Sequence, residues 1–307
     1  STSRRQRQMC IRDRGLVAAG NIFMGMTESP VLIKNYLPTM NRSEIFLVMV
    51  SGMGTIAGSV MGTYIGMLGG TDPAAKVLFA THLLSASVMA VPGSIVLAKM
   101  LCPQTEEATD HVAISGKEKE NSNILDAISS GTVTGVKLMT NIAAMLLVFI
   151  SLVALANYIT EGVIGRYTGL NDWIVKITDG KAQGLTFQFI LGVITSPFMW
   201  LIGVPSQDIM LVGSLLGQKT ILNEFVAYFQ LQQWKDAGLF MYEKSILMST
   251  YILCGFANIS SIGILLGGLG VLAPEKRGLI SRIGVPAMIG GALVSVLSAT
   301  IIGMILG

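Results

Sequence analysis

Charged side chains are scarce in this sequence. Asp, Glu, Lys and Arg make up 13% of its 307 residues, against roughly a quarter in a soluble globular domain. The formal net charge of +3 is spread along the chain without a basic stripe, which is not the pattern of a nucleic-acid-binding surface. The composition argues against a soluble domain, and we expect no nucleic-acid partner.

Cysteine and histidine are also rare, and their positions do not indicate metal binding. Cys10, Cys102 and Cys254 have no metal-ligand spacing, and neither His82 nor His111 has a cysteine or a second histidine at such a spacing. The sequence contains no nucleophile motif or phosphate-binding loop. We therefore expect no cofactor, no disulfide and no enzymatic activity.

Apolar residues dominate instead. They form 51% of the chain, its mean hydropathy is +0.64, and several windows reach the roughly 20 residues that cross a bilayer. We predict an all-α, multi-pass protein of the cell membrane. The apolar segments extend over about 15–37, 44–68, 75–101, 138–160, 184–203, 209–230, 245–272 and 284–306.

The first residues differ from everything that follows. Residues 1–14, STSRRQRQMCIRDR, are rich in arginine and have no apolar core, so they are neither a signal peptide nor a plausible helix start. They are similar to translated adapter sequence, and a basic cytoplasmic tail is the alternative interpretation. We expect a non-native tail here, with the protein's own N-terminal part missing before residue 15.

The polar, glycine and proline residues between the apolar segments predict four further regions. These are the remnant of a first repeat at 15–101, a cytoplasmic loop with an amphipathic helix at 102–137, a scaffold helix with a surface segment at 138–183, and a second repeat at 184–307. The amphipathic pattern of 124–137 fits an interfacial helix or a plain connector. GVPSQD at 203–208 separates two short apolar pieces, which is typical of a re-entrant hairpin.

Lysine and arginine in the short loops indicate the orientation. Lys276, Arg277 and Arg282 place the last turn on the cytoplasmic side. Counting the spans backwards places the polar loop at 104–123 on the same side.

Two glutamates lie inside apolar stretches. Glu28 stands in GMTESPVLI and Glu224 in ILNEFVAY. A carboxylate at bilayer depth costs several kcal/mol unless it faces water or a partner, so both acids are predicted to belong to a binding site. Thr27 and Glu28 stand just before Pro30 and could instead cap a half-helix. Lys219 lies near Glu224 in sequence, where it could compensate the acid or snorkel.

An internal repeat accompanies these acids. SGMGTIAGSVMG at 51–62 aligns without a gap with CGFANISSIGIL at 254–265. Small and polar residues allow a helix to unwind there and to expose backbone groups to a ligand. Two units of hairpin, broken helix and helix are typical of inverted-repeat secondary transporters. Packing of helices through small residues is the alternative interpretation.

Five motifs resemble the concentrative nucleoside transporter family. They are NIFMGMTE at 21–28, TIAGSV at 55–60, HLLSAS at 82–87, NEFVAY at 223–228 and CGFANISS at 254–261. The resemblance extends in order over residues 15–307. It implies a homotrimer in the lipid bilayer that takes up nucleosides on a cation gradient. It also implies an elevator mechanism, with a site formed by two re-entrant hairpins and two broken helices.

The resemblance further implies a set of substrate-binding residues on the hairpins and broken helices: Met26, Thr27, Glu28, Val60, Glu224, Phe256, Asn258 and Ser261. The residues of the first hairpin would meet the nucleobase, and Glu224, Asn258 and Ser261 would hold the ribose hydroxyls. Ionised carboxylates accept hydrogen bonds that sugar hydroxyls donate, and an Asn amide donates to those hydroxyls. Val60 and Phe256 would pack against the apolar faces of the ligand.

Met26 stands where many members of the family carry glutamine. A glutamine amide can pair with a pyrimidine edge, whereas a thioether offers polarizable surface and room. The Gly25–Met26 pair resembles purine-preferring members, and Ser59 resembles members of broad specificity. We expect a preference for purine nucleosides or acceptance of both classes.

The coupling ion implied by the resemblance is sodium. Asn21, the Met24 carbonyl, Thr55 and the Ile56 carbonyl match the sodium ligands of the family. Oxygen ligands suit a hard cation, and neutral ones suffice for a monovalent ion that is released in every cycle. Proton coupling through Glu28 or Glu224 is the alternative, and Asn21 and Thr55 could also serve helix packing alone.

A channel and a membrane enzyme are the competing functions. A channel would place polar residues along one continuous pore, whereas here they cluster at hairpin tips and helix breaks. An enzyme could use Glu28 and Glu224 as an acid/base pair, but no supporting motif accompanies them. The sequence therefore favours a transporter.

Overall fold

The computed structural model of the chain describes residues 17–34, 36–105, 123–178, 180 and 182–307. Within these ranges every regular element is helical and none is a strand, which confirms the all-α prediction for the described part. The expected tail at 1–14 and residues 106–122 of the polar loop lie outside the described residues.

Eleven α-helices of eight residues or more occur in the described ranges. They are α1 Arg42–Gly54, α2 Gly58–Gly69, α3 Pro73–Leu101, α4 Ile124–Asn157, α5 Leu170–Ile177, α6 Phe187–Leu201, α7 Ile209–Ile221, α8 Glu224–Asp236, α9 Glu243–Leu253, α10 Ile259–Leu272 and α11 Arg277–Ile305. Short 3-10 turns cover Ser29–Ile33, Leu37–Thr39 and Pro274–Lys276, and a π-helix covers Tyr158–Gly165.

The described residues form two compact units. One combines the residues before the polar loop with Leu191–Gly307, and the other covers the described residues up to Ile190 that follow the loop. Both expected repeats thus lie in the first unit, apart from the start of α6, while α4 and α5 lie in the second.

Helix α11 is the centre of the first unit. It packs against α1, α3, α9 and α10. Small residues permit this, because a Cβ at any of four glycines of α11 would come within 3 Å of a neighbouring side chain. These glycines are Gly284, Gly290, Gly291 and Gly303.

Two of the apolar segments are broken near their middle, as the repeat predicts. Residues 55–57 separate α1 from α2, and residues 254–258 separate α9 from α10. By length and composition, three stretches of the described residues can cross a membrane: Arg42–Gly69, Pro73–Leu101 and Pro274–Ile305.

The sequence predicted a second hairpin with its arms on either side of GVPSQD, and the helices on both sides contact each other. The Ser196 hydroxyl of α6 donates to the Met210 sulfur of α7 at 3.0 Å, and a Cβ at Gly217 would lie 2.5 Å from the Leu191 side chain.

Helices α7 and α8, which carry Glu224 and are called the second hairpin here, also pack together and are joined by a turn of two residues. Asn223 ends the turn because its side chain accepts a hydrogen bond from the Val226 N–H at 2.9 Å and caps α8. The apolar run at 209–230 concealed this break, since Leu222 is itself apolar.

The expected boundary at residue 137 also differs from the structure. Helix α4 continues through it from Ile124 to Asn157 without interruption. Asn123 starts this helix by accepting a hydrogen bond from the Asp126 N–H at 2.9 Å. The expected interfacial helix and the start of the expected scaffold span are therefore one element.

Candidate functional site

The two helix breaks meet in the first unit. The backbone N–H of Phe256 donates to the Thr55 carbonyl at 3.3 Å. Gly255 allows this approach, because its φ is 144° and a Cβ there would lie 2.9 Å from the Met53 carbonyl oxygen and 3.0 Å from that of Gly54. Polar backbone of both repeats is thereby brought to one place.

Glu224 lies beside this crossing with its carboxylate buried. It is the first residue of α8 and 7% exposed. Asn223 already caps the helix, so the carboxylate is free for other partners. Its Oε2 accepts a hydrogen bond from Asn258 Nδ2 at 2.8 Å, and its Oε1 accepts a longer one from the Tyr64 hydroxyl at 3.5 Å.

Asn258 is held in place by the start of α10. Its Oδ1 accepts hydrogen bonds from the Ser261 N–H at 2.9 Å and from the Ser261 hydroxyl at 3.1 Å. Because the oxygen is committed to the cap, the amide nitrogen points its donors at Glu224. Three residues predicted from the sequence are thus brought together as one acceptor and donor pair with its support.

Tyr64 and Tyr228 were not predicted as part of this site. Their rings stack with centroids 4.1 Å apart and an interplanar angle of 23°. Tyr228 donates its hydroxyl hydrogen to the Thr250 carbonyl at 2.8 Å. One turn of helix separates Val60 from Tyr64, so helical spacing from Val60 could have pointed to it. Val60 itself packs against the apolar cluster that contains both tyrosines.

Phe256 lies between the two halves of the apolar core. It is partly buried and packs against both hydrophobic clusters of the first unit. Ser260, near the start of α10, carries a buried hydroxyl that has no hydrogen-bond partner among the described residues. Such a group usually costs about 1–3 kcal/mol, so it is a candidate contact that the sequence did not single out.

The first break carries a second polar group around Asn21, which is fully buried. Asn21 Nδ2 donates to the Ser51 hydroxyl at 3.1 Å, and Asn21 Oδ1 accepts from the Ser29 hydroxyl at 2.7 Å. Thr55 donates to the Ser51 carbonyl at 3.0 Å. Ile56 is fully buried directly after Thr55. The predicted ion ligands Asn21 and Thr55 therefore meet through Ser51, on which the sequence placed no role.

Backbone hydrogen bonds order the segment around Met24. The Gly58 N–H at the start of α2 donates to the carbonyl of Phe23, the residue before Met24, at 3.1 Å, and the Met24 N–H donates to the Gly20 carbonyl at 2.9 Å. The segment that carries Asn21 and Met24 is thus tied to the start of α2, directly after the first break.

The residues predicted to lie on the first hairpin contact glycines of three segments. Met26 is buried against Gly52, and the Thr27 methyl faces Gly268 of α10. Glu28 is exposed, and its carboxylate lies against Gly25. Its side chain makes no capping hydrogen bond to the turn Ser29–Ile33, so the capping interpretation of this acid is wrong.

Lys219 does not pair with Glu224, the partner that the sequence suggested. It is fully buried in α7, and its Nζ donates to the Ile252 carbonyl at 2.8 Å and to the Ser295 hydroxyl at 3.0 Å. These groups belong to the end of α9 and to α11. The sequence shows a lysine here, but which backbone it meets depends on the tertiary fold.

His82 has a hydrogen-bond partner on another helix. Its Nδ1 shares a hydrogen bond of 3.1 Å with the Tyr251 hydroxyl, and the two rings meet edge to face with centroids 5.7 Å apart. It therefore links α3 to α9.

Comparison with known proteins gives matches along most of the chain. A family model described as the C-terminus of Na+ dependent nucleoside transporters matches residues 82–303. An uncharacterized transporter of Haemophilus influenzae is 40% identical over 293 residues, which cover 94% of this chain and 65% of that protein. Sodium/nucleoside cotransporter 1 of Rattus norvegicus is 39% identical over 304 residues, which cover 94% of this chain and 44% of that protein.

Solved structures agree with these matches. CNTnw in an inward-facing, substrate-bound state has a TM-score of 0.79 and 37% identity, with 94% of this chain and 63% of that chain covered. A variant of CNTnw in an outward-facing state has a TM-score of 0.82 and 36% identity, with 95% and 65% covered. The chain thus spans less than two thirds of the length of each of these relatives.

Proposed function

Because this chain belongs to the Na+ dependent nucleoside transporter family, a family of multi-pass membrane proteins, we propose that it belongs to a secondary-active transporter that takes up nucleosides together with sodium. The observation that carries this proposal is the buried Glu224–Asn258 pair at the point where two broken helices meet. A carboxylate in such a place needs a partner or a ligand. A polar solute with several hydroxyls can supply both donors and acceptors to it.

The ribose is the part of a nucleoside that fits this pair. Neighbouring hydroxyls of the ribose can donate to the Glu224 carboxylate and accept from the Asn258 amide. The two side chains offer the same acceptor and donor to each other in their hydrogen bond of 2.8 Å. Ser261 fixes the orientation of Asn258. Phe256 and Val60 supply apolar surface beside this pair, and Met26, Thr27 and Glu28 are our candidates for contacts to the nucleobase.

Sodium is the coupling ion that the first break supports. Its side-chain ligands would be Asn21 and Thr55, with the carbonyls of Met24 and Ile56. These groups are neutral, and three of the four residues are buried in one polar cluster or directly beside it. Neutral oxygen ligands hold a monovalent cation without preventing its release. A relative named sodium/nucleoside cotransporter 1 supports the same assignment.

An elevator movement in a homotrimer is our expectation for the whole protein. The direct bond between Phe256 and Thr55 supports a transport unit in which both breaks move together. Exposed apolar side chains on α4, among them Leu147, Leu152 and Leu155, suit contact with lipid or with a neighbouring protomer. Chemical cross-linking of the protein in membranes checks the trimer.

Uptake of labelled adenosine and uridine into cells that express the full-length protein tests the function. We expect accumulation with a sodium gradient. In Glu224→Gln uptake should fall by roughly a hundredfold or more, because the amide NH2 cannot accept a hydrogen bond from a ribose hydroxyl and leaves a buried donor without a partner. Glu161→Gln, an acid in the second unit, is the matched control and should retain uptake. Accumulation that ignores sodium but follows external acid would assign coupling to protons. Absence of accumulation from a well-expressed protein would refute nucleoside transport.

A further inference from the structure

A fully buried lysine lies at the second helix break. Lys219 is 0% exposed, and an ammonium taken out of water costs several kcal/mol unless strong partners surround it. Substrate binding as proposed above uses Glu224, Asn258 and Ser261, and it does not involve the Lys219 ammonium. Its two partners at 2.8 and 3.0 Å are the Ile252 carbonyl and the Ser295 hydroxyl.

The positive charge of Lys219 lies at the C-terminal end of α9. The last carbonyls of a helix have no partners within the helix, and they carry a partial negative charge of about half an electron. Here side chains from three other helices satisfy them. Tyr228 donates to Thr250, Lys219 donates to Ile252, and Ser295 donates to Cys254 at 2.8 Å.

The oxygens around Lys219 Nζ are those of a site for a monovalent cation. They comprise the Ile252 carbonyl and the Ser295 hydroxyl, and Ser295 is in turn fixed by the Cys254 carbonyl. Carbonyl and hydroxyl oxygens of this kind replace the hydration shell of an alkali ion. In this protein the position is filled by an ammonium attached to the chain.

The matching end of α1 at the first break is built differently. There the recorded donors are neutral: the Thr55 hydroxyl donates to the Ser51 carbonyl, and the Ser51 hydroxyl donates to the Val48 carbonyl at 3.0 Å. The partial charge of that helix end is therefore available to a mobile ion. The two breaks are similar in sequence but differ in the source of their positive charge.

We propose that Lys219 is a tethered cation that permanently neutralises the carbonyl end of α9 at the second break, whereas neutral donors serve the end of α1 at the first break. The proposal rests on the transport function proposed above. Lys219 is a positioning residue in this view, because it ties the α7 arm of the hairpin to the end of α9. Glu224 begins the other arm, and its distance from Asn258 depends on that tie.

Compensation of the Glu224 charge is the competing role for Lys219. The hydrogen bonds favour the helix end, because the two recorded acceptors of Nζ are Ile252 and Ser295, while the carboxylate oxygens of Glu224 accept from Asn258 and Tyr64. The two roles predict different responses to the size of the replacing side chain.

Thermal unfolding of the purified full-length protein in detergent separates these roles without any transport assay. Lys219→Ala leaves a space at the place of the ammonium, and we expect ethylammonium to raise its Tm. Lys219→Met fills the space with an uncharged side chain of similar length, so ethylammonium should not raise its Tm. Lys235→Ala, which removes a partly exposed lysine from α8, should respond like the wild type.

Uptake measurements test the same inference at the level of transport. In Lys219→Ala, uptake should fall about tenfold or more and recover partly with ethylammonium. A Tm response to cations in a protein that transports no nucleoside would support the tethered cation and refute the transport function. An equal response of the Ala and Met variants would overturn the tethered cation.

A second variant keeps the proposal testable if Lys219→Ala fails to fold. Ser295→Ala retains both charges and removes the hydroxyl that links Nζ to the Cys254 carbonyl. We expect roughly threefold to tenfold weaker uptake, and unchanged uptake would count against the proposal. Restoration of Lys219→Met stability by a second substitution, Glu224→Gln, would assign the lysine to charge compensation instead.

Discussion

At the residue scale, single polar side chains serve two purposes at once. Asn258 caps α10 with its oxygen and donates to Glu224 with its nitrogen. This double use of one side chain follows from burial, since each polar atom in an apolar surrounding needs a partner. It also means that the caps of the helices and the ligand site cannot be altered independently.

Tyr64→Phe tests the hydroxyl that reaches Glu224. We expect nucleoside affinity to weaken by roughly threefold, because one long hydrogen bond to a buried carboxylate is lost while the stacked ring remains. Uptake kinetics measure this. Tyr228→Phe is the matched control, because it removes a hydroxyl bound to the Thr250 carbonyl instead. An equal loss of affinity in both variants would mean that the effect does not come from the bond between Tyr64 and Glu224.

Met26→Gln tests the base of the nucleoside. The amide gives a pyrimidine edge a donor and an acceptor that the thioether lacks. We expect the ratio of uridine to adenosine uptake to rise by about tenfold, as measured by competition between the two labelled substrates. Met24→Gln, two residues earlier in the same segment, is the control and should leave the ratio unchanged. A constant ratio in Met26→Gln would exclude this residue from selection of the base.

At the element scale, the site depends on helices that stop in the middle of an apolar segment. Asn223 and Asn258 start the helices that follow the hairpin turn and the second break, and each accepts a backbone hydrogen bond at 2.9 Å. Without such caps, free N–H groups at these starts would be costly in an apolar surrounding. The caps thus lower the free-energy cost of interrupting a helix, and side chains such as Glu224 are not needed for capping.

Gly255→Ala tests the contact between the two breaks. A Cβ at φ of 144° would be strained and would meet backbone atoms of Met53 and Gly54, so we expect a loss of about 1–3 kcal/mol in stability. Thermal unfolding in detergent measures it. Gly263→Ala in α10 is the control, because a Cβ there meets nothing within 4 Å, and its Tm should stay equal or rise. Equal behaviour of the two variants would argue against a tight crossing.

At the scale of the whole molecule, the decisive difference is between a carrier and a channel. The polar groups form two local clusters, one around Asn21 and one around Glu224. Helix α11 packs on parts of both repeats and joins them in one unit. Such an arrangement favours a site that opens to one side at a time.

Exchange across a membrane tests this difference. Proteoliposomes with the full-length protein are loaded with unlabelled nucleoside and placed in labelled nucleoside. A carrier takes up label several times faster than into empty vesicles, since its loaded site returns faster than an empty one. A channel would gain nothing from internal substrate. Vesicles with Glu224→Gln are the control and should show no acceleration.

The sequence alone determined the fold class of this protein and predicted several residues of its candidate site. Scarce charge and long apolar runs predicted an all-α membrane protein, because a bilayer tolerates little else. Glu224 was predicted from its place in an apolar stretch, and the repeat predicted both helix breaks. The local sequence determines these features, so they can be predicted without the tertiary structure.

The tertiary structure decided which distant groups meet. The hydroxyl of Tyr64 at Glu224 and the partners of Lys219 join segments far apart in sequence. The sequence showed a lysine near an acid and suggested that it compensates the acid or snorkels. Packing brought the hydrogen bonds of the ammonium to the carbonyl end of a broken helix, because that position depends on how three helices pack together and on no single local pattern.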